Sequence, residues 1–163
     1  MKNIINYIGF ATGWYCLIKY GNTAIPFVFT YLLAHILYMK NKRLELITIA
    51  IVSCIGFFSD TALTFAHIIQ FKDLHSLPPY WFMMLWPLFA SMLNHCLKIF
   101  YKVHCLLNCF LGAAGGMLAY IAGEHINSSF SVNHNMNYII CITWALLFPL
   151  FVVLSGWLRS KYE

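Results

Sequence analysis

Charge is what this chain has least of: ten Lys or Arg and five Asp or Glu, 9% of 163 residues, where an ordinary soluble domain carries about 25%. Hydrophobic residues make up 61%, and a chain this small cannot hide so much apolar surface in a water-facing fold. The familiar signatures of soluble chemistry are missing too. There is no glycine-rich phosphate loop followed by Lys-Ser/Thr, no HExxH and no GxSxG nucleophile elbow. None of the six cysteines forms a CxxC, and all lie in or beside apolar runs, so they read as small hydrophobes. The basic residues are scattered over the loops, which argues against nucleic acid as a partner. The halves do not repeat, which removes the reason to expect an inverted-repeat transporter.

What is present is apolar length. A spanning helix needs about 20 residues, so the chain has room for about six crossings and short loops. The runs are 4–20, 24–39, 44–66, 79–97, 103–123 and 138–157. The first begins like a signal peptide, but no small-residue cleavage site follows it, and it is expected to stay as a span. The expectation is an all-α, polytopic membrane protein: one domain over 1–163, a compact bundle of six transmembrane helices. Lys2, Lys40, Lys42, Arg43, Lys98, Lys102, Arg159 and Lys161 would share one side, leaving Lys19 and Lys72 on the other. By the positive-inside rule both termini are then cytoplasmic.

Proline and glycine punctuate the spans. Pro78-Pro79 opens the fourth, and Pro87 is expected to kink it. Gly112, Gly116, Ala119 and Gly123 recur at helical spacing and predict a close-packed seam; Gly9 and Gly13 form a shorter one.

Polar residues inside spans are expensive, about 2.5–3.5 kcal/mol for Asp, Lys or Arg, and mark either a function or a satisfied internal bond. At 1.5 Å per residue Asp60 lies roughly 24 Å up the third span. With Thr64 and His67 it forms a stripe at i, i+4 and i+7, a candidate ligand-binding face in the outer leaflet, with His75, Glu124 and His125 nearby. A second layer, near the cytoplasmic side, holds His35, Asn94, His95, His104 and Asn108.

Three stretches carry a resemblance: Gly56 with Asp60, PPYWFMMLWPLFASMLNHCL at Pro78–Leu97, and GAAGGMLAYIAG at Gly112–Gly123. Together they resemble a family of small bacterial inner-membrane proteins whose domain has no assigned function. Asp60, Trp81, Trp86, Asn94, His95, Gly112, Gly116, Tyr120 and Gly123 fit its pattern, and His35 and Glu45 fit it more loosely. Where the pattern would have a Gly-Pro step the chain has Gly116-Met117, so no helix break is implied there. The resemblance implies a Gram-negative inner membrane and a setting near lipid-modifying functions.

Two functional expectations follow. In the first, the bundle binds or moves a small or lipid-like molecule at Asp60, Thr64 and His67, and Gly9 and Gly13 dock a membrane partner. In the second, His35 and His95 hold a haem or metal, with Asn94, His104 and Glu45 as further ligands or supports, in a redox or lipid-modifying enzyme.

Overall fold

Helix starts and stops follow local polar and proline signals. Tyr20 ends α1 (Lys2–Tyr20), and Gly21, at φ +58°, turns the chain through a short 3-10 segment, Gly21–Ala24. Glycine adopts that left-handed backbone at little cost. Pro26 then sits in the first turn of α2 (Ile25–Tyr38), where its missing N–H removes no helix bond. Asn41 caps α3 (Lys42–Phe65) by accepting from the Leu44 N–H at 3.1 Å, and its amide also donates to the Tyr162 carbonyl at 2.7 Å. The start of α3 is thereby tied to the far end of the chain.

After β1 (Ile69–Phe71) come α4 (Tyr80–Met83) and α5 (Leu85–Leu93), a 3-10 segment (Cys96–Lys102), α6 (Cys105–Ile126), β2 (Phe130–Val132) and α7 (Asn137–Tyr162). The computed structural model describes residues 2–72 and 77–162, the side chain of residue 2 excepted. Asp73 and His75 lie outside the described residues. Of the described residues 82% are helical, and α3, α6 and α7 are each long and apolar enough to cross a membrane.

Two expected spans are shorter than the sequence suggests. The second has 14 helical residues, and the fourth is helical only over Tyr80–Leu93. Fourteen residues rise about 21 Å, short of a hydrocarbon core of about 30 Å. The fourth is also broken, at Met84, three residues before Pro87. Proline acts backwards along a helix: its ring clashes with the carbonyl four residues earlier, here that of Met83. By contrast α6 runs unbroken through Gly116-Met117.

A two-stranded antiparallel sheet occupies what read as loops, pairing Ile69 with Val132 and Phe71 with Phe130. Phe71, Trp81, Phe82 and Phe130 pack their rings 5.0–6.1 Å apart beneath it. The sheet is therefore a lid on one end of the helix bundle. Glu124 fastens it by accepting from the Val132 N–H at 3.0 Å. Among the helices, α6 and α7 share the most extensive contact, while α3 packs on both α5 and α7. The six cysteines are free.

Candidate functional site

The inward face of α3 carries Glu45, Thr48, Val52, Gly56, Asp60 and Thr64, about one residue per turn. Its two carboxylates are about 22 Å apart along the helix axis, and each is the centre of a separate cluster.

Asp60 is 3% exposed. Trp86 Nε1 donates to its Oδ2 at 2.6 Å, and the Tyr120 hydroxyl donates to its Oδ1 at 2.5 Å. Trp86 stacks on Trp144, with ring centroids 5.3 Å apart and planes 11° from parallel. The two indoles fit because glycine stands at each end of the stack. A Cβ on Gly56 would overlap the Trp86 ring, and one on Gly116 would overlap Trp144. The order glycine, indole, indole, glycine thus joins α3, α5, α7 and α6 around one carboxylate.

Beside this cluster lies a cavity of about 300 Å³, walled by Phe10 and Trp14 from α1, Leu85 and Phe89 from α5, and Gly112 and Gly115 from α6. Asp60, Trp86 and Tyr120 form its polar corner, and Phe130 of the lid also reaches it.

Asp60, Thr64 and His67 do not make a single site surface. The Thr64 hydroxyl donates to the Asp60 main-chain carbonyl at 2.8 Å. His67 is past the end of α3, exposed and at φ +55°, so the i+7 spacing no longer places it on the helix face. Thr64 and His67 line a second cavity of about 270 Å³, with Lys72 and Ser131.

At the other end of α3, Glu45 lies between two imidazoles. His95 Nε2 is 3.0 Å from Oε1 and His35 Nε2 is 3.4 Å from Oε2. The two rings are edge to face, with centroids 5.0 Å apart. His35 comes from the last turn of α2, Glu45 from the first turn of α3, and His95 from the junction after α5. A haem held by both histidines would need its ring plane in the space that the Glu45 carboxylate fills, so these residues do not fit that cofactor.

The other expected members of this layer have structural work. Asn94 donates to Thr48 Oγ1 at 3.2 Å and accepts from the Tyr101 hydroxyl at 3.1 Å, joining α5 to α3. His104 is exposed and caps α6, its Nδ1 accepting from the Leu106 N–H at 3.3 Å. Asn108 is buried and donates to the Phe100 carbonyl at 3.2 Å.

The small-residue seams are used within the chain. Gly112 and Gly116 admit α7, at the Trp144 backbone, Phe148 and the Trp144 ring. Gly9 lies under Tyr31 and Gly13 under Leu88. Ala119 lines the larger cavity, and Gly123 has only ordinary contacts with Ile18 and Phe130 at 3.5 Å. Sequence reasoning passed over Trp144, and over Asn6, which is buried and donates to the Ser91 carbonyl at 3.1 Å. Trp144 lies in an apolar run whose periodicity does not distinguish it from its neighbours; Asn6, a polar residue inside the first run, was a visible signal.

No curated protein and no solved structure matches the chain. A family model described as a protein of unknown function, DUF2878, matches residues 3–150, which include Asp60, Trp86, Tyr120, Trp144, His35, Glu45 and His95, and the chain belongs to that family.

Proposed function

We propose that this is a membrane protein, with α3, α6 and α7 as its spanning helices, that binds an elongated apolar molecule, of the acyl- or prenyl-chain class, with a hydrogen-bond-donating end at Asp60. The observation that carries the reading is the cavity: aromatic and glycine walls with one polar corner. Its volume is at the lower end of the range for small-molecule sites, about 300–1,000 Å³. Each Asp60 oxygen already accepts one bond and has a lone pair left, so a hydroxyl or N–H suits the corner better than a second carboxylate would.

Membrane residence is supported by the outward faces as well as by helix length. Phe58, Leu118, Leu146 and Val153 are 65–67% exposed on α3, α6 and α7, where a water-facing helix would carry polar residues. Lys42, Arg43, Arg159 and Lys161 lie at one end of the long helices, with Lys98 and Lys102 in the adjoining 3-10 segment. The positive-inside rule puts that end in the cytoplasm, with Asp60 toward the opposite surface.

Gly115 offers the direct test, because a Cβ there meets nothing within 4 Å while the residue borders the cavity. Gly115→Leu should fill the space without disturbing the indole stack. Native mass spectrometry of detergent-purified wild type should show one bound lipid-like species per chain, lost in Gly115→Leu and weakened in Asp60→Asn. If Gly115→Leu retains the ligand at wild-type stoichiometry, the cavity is not its site.

A further inference from the structure

We propose that His35, Glu45 and His95 form a site for one borderline divalent first-row metal ion, Zn²⁺ or Fe²⁺ in class, bound by two imidazole nitrogens and one carboxylate oxygen. The three ligand atoms come from separate elements and all lie within 4.8 Å of one another. Ligands about 2.0–2.1 Å from a tetrahedral ion are about 3.3 Å apart. His95 Nε2 is 3.0 Å from Oε1 and His35 Nε2 is 3.4 Å from Oε2, so each nitrogen is near that spacing from its own oxygen of the shared carboxylate. Two nitrogens and one oxygen are a donor set for Zn²⁺ or Fe²⁺ rather than for Ca²⁺ or Mg²⁺, which prefer oxygen alone, or for Cu(I), which prefers sulfur.

The neighbours of Glu45 sharpen the argument. Lys40, Lys42 and Arg43 are within five positions of it and could neutralise a carboxylate directly, yet all three are exposed. The Arg43 guanidinium instead lies over the Tyr162 ring, 5.3 Å from its centroid. The ion-pair partners of Glu45 among the described residues are His35 and His95. Those side chains can exchange a hydrogen bond for a coordinate bond when Nε2 gives up its proton, which Lys and Arg cannot do. His35 and Glu45 side chains are 4–5% exposed, whereas His95 is 18% exposed and provides an entry side. Three protein ligands leave at least one coordination position open, as in catalytic rather than structural zinc sites.

This site is independent of the cavity at Asp60, and so is its test. Full-length protein in detergent is stripped with a chelator, returned to metal-free buffer, and titrated with Co²⁺ while the visible ligand-field bands are recorded; Zn²⁺ is then added as competitor. One Co²⁺ per chain with a low-symmetry spectrum, displaced by Zn²⁺, is the expected result. Glu45→Gln should weaken binding by at least ~100-fold, since loss of an outer-shell partner alone costs about 10–100-fold. The glutamine keeps the side chain's shape and can hydrogen-bond both rings after a tautomer change, so the protein should remain monodisperse on size exclusion. His95→Gln, at the more exposed ligand, gives a second variant should the first fail to fold. Asp60→Asn should bind Co²⁺ as wild type does. Wild type that shows no ligand-field bands above a detergent blank would overturn the proposal, and so would folded Glu45→Gln or His95→Gln protein with unchanged affinity. In either case the three residues form a hydrogen-bonded cluster alone.

Discussion

Asp60 and Glu45 are equivalent groups on one face of one helix, and their surroundings could hardly differ more. Asp60 accepts from an indole and a phenol, and the stack behind the indole fixes its position. An indole N–H can only donate, so the Trp86 half of this cluster has one workable arrangement. Glu45 accepts from two imidazoles, which can donate, accept or coordinate according to tautomer. What separates the two ends of α3 is thus that the Asp60 end contains a donor, the Trp86 indole, that cannot reverse its role. The Asp60 end is suited to holding a shape, and the Glu45 end to exchanging a proton for a metal ion.

The largest effect should come from removing the piece that makes the Asp60 end rigid. Trp86→Ala deletes a donor to Asp60, opens the face of Trp144 and uncovers Gly56. Truncating a buried tryptophan costs about 3–5 kcal/mol. Thermal unfolding in detergent should show a loss of that order, and the cavity ligand should be lost with it. His95→Ala, at the partly exposed member of the Glu45 cluster, should cost about 1–3 kcal/mol in metal-free protein. If the two losses are equal, the ends do not differ in rigidity.

A subtler test uses isosteres. In Asp60→Asn the amide oxygen can still accept from Trp86, but its NH₂ must point at Tyr120, whose hydroxyl then has to reverse and accept. In Glu45→Gln the amide can face either histidine, because a neutral imidazole offers an acceptor as readily as a donor. Disturbing a buried hydrogen bond costs about 1–3 kcal/mol. Asp60→Asn should fall within that range and Glu45→Gln below it when both are measured without metal. The reverse order would show that the indole and phenol are less constrained than their packing implies.

The helical, apolar character of the molecule was legible in the sequence, whose six apolar runs are 16–23 residues long in a chain with 9% charged residues, and α3, α6 and α7 are each long and apolar enough to cross a membrane. It also drew attention to Asp60, His35 and His95, since an ionisable residue in an apolar run stands out against its neighbours. It paired His35 with His95 but gave no sign of the side chains that meet Asp60. Trp86 and Tyr120 reach Asp60 from 26 and 60 positions away, and helical periodicity is silent about which helices meet. Glu45, three residues into α3, was expected only as a further ligand or support beside the two histidines, and it is the hub to which both are bonded. The strands were hidden for a different reason. Each is three residues long, too short for alternation to show, and what holds them is the ring cluster beneath.

The small-residue seam on α6 looks uniform in sequence and is not uniform in space, which gives the smallest and most discriminating comparison. Gly116 faces Trp144, and that ring cannot retreat because it is stacked on Trp86, which is bonded to Asp60. Gly116→Ala should therefore cost about 1–3 kcal/mol, the usual penalty of overpacking. Gly123, two turns on, has its nearest neighbours at 3.5 Å, an ordinary van der Waals separation from Ile18 Cδ1 and Phe130 Cε1. There the methyl group fits, and the reduced backbone freedom of alanine in the unfolded chain should stabilise α6 by about 0.5–1 kcal/mol. Opposite signs for the two substitutions, read as shifts in unfolding temperature, would place the need for glycine in the indole stack. The same sign for both would mean that the whole seam is required for packing, and that α6 approaches α1 and the lid as closely as it approaches α7.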